Sequence, residues 1–135
     1  MRASAVALVT VVICGCALLG KRHTIDFSPL KQADRLEVLS HKGETIKTIT
    51  DPVLISAAAE FIQRFTSGWK DPLSGPVVPD FMLHFYAGER GIGGYGIGVG
   101  VIVSNPPTHG FWSRSAPEKE VNDLAARLGI KLGGT

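Results

Sequence analysis

The string Gly91-Ile92-Gly93-Gly94-Tyr95-Gly96 spells G-x-G-x-x-G, the spacing at which a glycine-rich turn delivers a pyrophosphate to the amides at the start of a helix. That chemistry needs a helix immediately after the glycines. The chain instead continues as Ile97-Gly98-Val99-Gly100-Val101-Ile102-Val103, a β sequence, so the motif fails on its context. The same glycines have a second pattern: Gly94, Gly96, Gly98 and Gly100 fall at period two, opposite Tyr95, Ile97, Val99 and Val101. In an extended chain they leave one face apolar and the other nearly bare. Either that bare face receives another backbone or a flat ligand, or the glycines mark bulges and a tight turn between two short strands. The second reading is preferred, because each interior glycine costs roughly 0.5–1 kcal/mol against alanine.

The four histidines, His23, His41, His84 and His109, show no H-x-H or H-x₃-H spacing and no companion cysteine, so no metal site is expected. Strand alternation sets His84 beside Met82 and Tyr86, opposite Phe81, Leu83 and Phe85. There it reads as a partly exposed hydrogen-bonding residue, since a general base also needs an orienting partner and a substrate site. No G-x-S-x-G elbow occurs, and Ser74-Gly75-Pro76 lies in a proline-rich stretch unlike one. Glu118, Glu120 and Asp123 crowd the start of the last helical segment, where they favour the positive end of its dipole, and Asp71 and Asp80 flank a crossover as turn caps. Trp112 and Arg114 alternate with Phe111 and Ser113. They form either an exposed aromatic–arginine pair suited to binding or a pair whose tryptophan packs under the last helix. No catalytic residue, metal ligand or cofactor is assigned, and the candidate binding surface is Trp112, Arg114, Tyr86 and His84.

The elements that must position these residues are set by periodicity and turn chemistry. Residues 35–39 and 45–49 are β-rich and flank a turn in which Gly43 supplies positive φ. Asp51-Pro52 starts a helix by capping and by the proline's missing N–H. Leu54, Ala58, Phe61, Ile62 and Phe65 give it one apolar face, and Ser67-Gly68 ends it. Residues 70–79 read as a surface crossover, 81–87 as a strand, 92–104 as a strand broken near Gly98-Val99-Gly100, 105–110 as a loop and 111–114 as a short strand. Ser115 and Glu118 spell a capping box, with Val121, Leu124, Ala125 and Leu128 at helical spacing and Gly129 as the stop. The order ββαβββα predicts an α+β fold, an antiparallel sheet of four to five strands with two helices on one face.

At 135 residues and 44% apolar content, the chain has material for one such domain. A net charge of +2 with no run of five basic residues argues against nucleic acid as a partner. The N-terminus carries an address: Met1-Arg2, then an uninterrupted run of small and apolar residues from Ala3 to Ile13, then Ile13-Cys14-Gly15-Cys16. This resembles the lipobox of bacterial lipoprotein signals, with Cys14 where alanine, serine or threonine is usual. The resemblance implies cleavage after Gly15 and diacylglyceryl and palmitate-type acyl chains on Cys16. It implies localisation at the cell membrane or the outer membrane, with the domain facing the periplasm or the exterior. Ala17, rather than aspartate, leans by the family's rule to an outer membrane where one exists. An uncleaved membrane helix from residue 3 to about 19 is the alternative. With Cys14 removed and Cys16 acylated, the mature domain holds no cysteine.

The expected organisation is therefore a signal peptide at 1–15, a tether at 16–33 that reaches on the order of 20–25 Å as a coil, and a domain at 34–135. The order of elements, with Phe111-Trp112-Ser113-Arg114 leading into a final helix, is loosely similar to small envelope lipoprotein domains of uncharacterised function. The expected role is a non-catalytic interaction or accessory module, its partners the membrane through Cys16 and an envelope protein. The alternatives are an envelope hydrolase using His84, or an inhibitor or immunity protein of an envelope enzyme.

Overall fold

The structure, a computed structural model, describes residues 22–71, 77–104 and 111–133. The signal segment, Cys16, Ser74 and His109 lie outside the described residues. Eight strands and two α-helices occur among those described: β1 (Arg22–His23), β2 (Arg35–Ser40), β3 (Thr45–Ile49), α1 (Pro52–Gln63), β4 (Trp69–Lys70), β5 (Phe81–Ala87), β6 (Arg90–Gly98), β7 (Val101–Ser104), β8 (Trp112–Ser115) and α2 (Glu118–Leu128). A 3₁₀ turn, Ser28–Gln32, joins β1 to β2. The strands form one sheet in the order β1-β4-β8-β7-β6-β5-β2-β3, antiparallel at every pairing. The fold is α+β, and the sheet has eight strands rather than the expected four to five. The difference lies mainly at one edge, where β1 and β4 are two residues each, too short for alternation to declare them.

The edge also moves the start of the domain. Residues 22–33, expected to belong to a tether, are built into the fold: Ile25, Phe27 and Leu30 are buried, and the Ile25 N–H donates to Thr66 O at 2.9 Å. The apolar spacing Ile25, Phe27, Leu30 has its cause here, since each side chain enters the core.

Cross-strand register sorts the sheet's side chains into two faces, because directly opposed residues point the same way. Leu36 opposes Phe85 and Val38 opposes Leu83. Leu83 opposes Tyr95 and Phe81 opposes Ile97, and Ile97 opposes Ile102. Leu36, Val38, Leu83, Phe85, Tyr95, Ile97 and Ile102 join one buried cluster with Ile55, Ala58, Phe61 and Ile62 of α1 and Val121, Leu124 and Leu128 of α2. The other face carries Glu37 with His84, Arg35 with Tyr86, Leu39 with Met82, then Gly94 and Gly96 and Val103.

Helix α1 begins as expected, with Asp51 Oδ1 accepting the Val53 N–H at 2.9 Å and Pro52 in the first turn. It ends at Gln63, two residues before Phe65. There the carbonyl of Phe65 accepts the Trp69 indole N–H at 2.6 Å and that of Thr66 accepts Ile25, so backbone groups that would extend the helix serve the sheet edge. The capping box expected at Ser115 does not form. Ser115 is the last residue of β8, paired with Val101, and the Ala116 N–H donates to Gly100 O at 3.0 Å. Pro117 occupies the N-cap position without a side-chain bond. The far end of α2 closes as the sequence indicates, on Gly129 at φ +72°. Lys47 Nζ reaches the Leu128 carbonyl at 2.7 Å, a cation at the negative end of the helix.

Candidate functional site

Of the four residues expected to share a binding surface, the sheet brings two together and sends two elsewhere. His84 and Tyr86 of β5 stand on the face away from the helices. Trp112 and Arg114 of β8 oppose Ser104 and Ile102, on the clustered face. The alternative in which Trp112 packs inward describes it better: it is partly buried against the core, and its indole is stacked on the His23 ring at 3.8 Å and 4°. His23 Nε2 lies 3.0 Å from Asp71 Oδ2. Arg114 sits over Phe65 at 4.8 Å, donates to the Ser67 carbonyl and to Ser115 O at 3.2 Å. Both residues tie β8 to neighbouring elements.

On the opposite face a compact patch surrounds His84. Glu37 stands directly across from it on β2 and Gly94 directly across on β6. Arg35 opposes Tyr86 and lays its guanidinium over that ring at 4.4 Å. The Arg35 Nε is 3.4 Å from Glu37 Oε1, with the two side chains 28% and 24% exposed. That separation gives charge attraction without a hydrogen bond, and Arg35 Nε is buried with no hydrogen-bond partner among the described residues. Burial holds the His84 imidazole below its ordinary pKa, and the charge of Glu37 works in the opposite direction. His84 is thus neutral at pH 7 and offers one ring donor and one acceptor. No hydrogen bond between His84 and a carboxylate occurs among the described residues; Glu37 faces it across the β2–β5 pairing. The patch sets a stacked arginine and tyrosine, a carboxylate and an imidazole side by side, while Gly94 across from His84 is buried. Arg35 and Glu37 are not singled out by the sequence pattern alone. Strand alternation on residues 35–39 names them, once β2 is known to pair with β5.

The bare side of β6 is partly filled by the chain itself. Beyond Gly94 the glycines meet Pro79 at Gly96 and Asp80 at Gly98, while Gly100 sits in the β6–β7 turn at φ +67°. On the clustered face Tyr95 is packed between Phe27 and Phe85, at 5.5 and 6.2 Å between ring centres. Burial, then the nearby charge of Asp26, pushes its phenol up to about 12, so it acts as a neutral core group. Away from the sheet, α1 and α2 flank an open groove of about 940 Å³ whose lining includes Ala57, Phe61 and Leu124, with Arg64 and Glu120 in a 2.8 Å ion pair.

Among the described residues no group of three or more His, Cys, Asp or Glu could hold a metal ion, and no helix is long and apolar enough to cross a membrane. No protein-family model, curated protein or solved structure matches the chain.

Proposed function

We propose that this chain is a lipid-anchored protein of the bacterial cell envelope and acts as a non-catalytic binding module for another envelope component. The anchor rests on Ile13-Cys14-Gly15-Cys16 behind Met1-Arg2 and a run of small and apolar residues. The binding reading is carried by the Arg35–Glu37–His84–Tyr86 patch, which sets an arginine–tyrosine stack and a partly exposed carboxylate side by side on the strands. Sheet faces of this kind bind through aromatic and arginine anchors surrounded by polar groups.

The experiment is capture of partners from solubilised envelope by the full-length tagged protein. Tyr86→Ala or Arg35→Ala is expected to lower capture by roughly fivefold to thirtyfold, the range of a single anchoring residue. Trp112→Ala, on the other face, leaves capture unchanged. Unaltered capture by both patch variants rejects this face, and an intact mass showing unmodified Cys16 in the mature protein rejects the anchor. The hydrolase alternative draws on one observation, the placement of Glu37 opposite His84. It demands turnover of an envelope polymer that His84→Gln abolishes. An inhibitor or immunity role uses the same face and differs only in the partner captured.

A further inference from the structure

We infer that the β1 edge of the sheet is a seat for an anionic bilayer surface, so that the domain lies against the membrane that anchors it. The inference rests on the proposed acylation of Cys16 and on what the fold does to the lead behind it. With Arg22 already paired in the sheet, five residues, 17–21, separate the lipidated position from β1. At ~3.3–3.6 Å per residue such a lead spans about 20 Å at most between Cys16 and Arg22, and as a coil about 13 Å. The edge strand must therefore stay close to the headgroups.

The charge at that edge is of the right sign. Arg22 stands directly across from Lys70, and both are exposed. Neither is in an ion pair or a side-chain hydrogen bond among the described residues. Lys21 precedes them in the chain. Two carboxylates stand near this edge and keep their negative charge: Asp71 beside His23, and Asp26, which accepts from the backbone and hydroxyl of Ser28 and is held below its ordinary pKa by those bonds. Lys21, Arg22 and Lys70 thus leave a small positive excess there. Basic side chains this near an anionic leaflet each favour contact by roughly fivefold, within a screening length of about 8 Å. The Glu37–His84 pair lies on β2 and β5, six and five strands away in the sheet order, about 24 Å or more at ~4.8 Å per strand. Each step also adds a twist of about 20°. A bilayer at the β1 edge leaves that patch open to a partner.

The test uses the full chain, expressed and processed in bacteria, purified and reconstituted into phosphatidylethanolamine vesicles with or without 30 mol% phosphatidylglycerol, where the percentage is a chosen composition of roughly physiological charge. A water-soluble amine-acylating reagent then reports the labelling rate of Lys70 against that of Lys42, which lies in the exposed β2–β3 turn. Lys70 is expected to be protected about fivefold or more relative to Lys42 in the anionic vesicles. The protection should fall in ~0.5 M salt, in neutral vesicles and with Arg22→Glu. The mass of the Cys16 peptide is read from the same sample. Lipidated protein whose Lys70 labels as fast as Lys42, or is protected equally in neutral vesicles, overturns the seat and leaves the anchor standing. Unlipidated Cys16 overturns both.

Discussion

Pro79 packs its ring into the space that Gly96 leaves empty: its Cγ and Cβ atoms stand 2.5 and 2.6 Å from where a Cβ on residue 96 would lie, with Met82 Sδ at 3.0 Å. The segment leading into β5 thus lies on the bare side of β6, and Asp80 N–H donates to Ile97 O at 3.0 Å beside it. At this position the alternating glycines are neither a docking face for a foreign ligand nor a bulge. They are a slot for the chain's own proline.

Gly96→Ala should therefore lower stability by about 1–3 kcal/mol, the cost of forcing a methyl into a filled site. Urea unfolding measures it. Pro79→Gly removes the ring atoms that clash, so the double variant should recover about 1 kcal/mol or more relative to the sum of the singles. Strict additivity would mean that the ring does not enforce the glycine.

Alternation and turn chemistry made the centre of the sheet legible. The faces of β5, the Gly43 turn at φ +82°, the break between β6 and β7, and the Asp51 cap all arise from local residue types that act over a few positions. What escaped was long-range. Arg22–His23 and Trp69–Lys70 become strands only because they meet one another and Ser113, and a two-residue strand has no period to read. Ser115 and Glu118 have the residue types of a capping box, but pairing with Val101 takes Ser115 into β8. In the candidate site, the placement of His84 and Tyr86 was legible from their alternation, whereas Arg35 and Glu37 join them through the long-range pairing of β2 with β5. Trp112 and Arg114 belong by register to the other face, which no property of their own short segment discloses.

The two helix starts can be told apart by substitution. Asp51→Ala removes the acceptor of the Val53 N–H and should cost about 1 kcal/mol. Ser115→Ala should change stability by less than about 0.5 kcal/mol, because the Ser115 side chain caps nothing at α2. A loss at Ser115 as large as that at Asp51 would restore the capping box.

The stack between His23 and Trp112 holds the first strand in place. Trp112→Ala should speed amide exchange at residues 22–25 by about tenfold or more, since an aromatic stack contributes ~0.5–1.5 kcal/mol beyond its buried area. Asp71→Asn should have a smaller effect, because its carboxylate is 53% exposed and such pairs contribute little. Equal effects of the two substitutions would assign the hold to the ion pair instead.

The imidazole of His84 gives the domain a signed response to acid. Its pKa in the folded protein is depressed by burial, so the unfolded chain, titrating near 6.5, takes up the proton first. Neutral His84 therefore contributes stability that is present above pH ~6.5 and is lost as pH falls from there through the lower folded pKa. His84→Gln should flatten the fall in unfolding midpoint between about pH 7 and pH 5. Glu37→Gln removes the charge that opposes the shift, so nuclear magnetic resonance titration of His84 should give a pKa lower still in that variant. A histidine that titrates above its ordinary value, or a Glu37→Gln variant in which it rises, would show that attraction to the carboxylate outweighs burial at this patch.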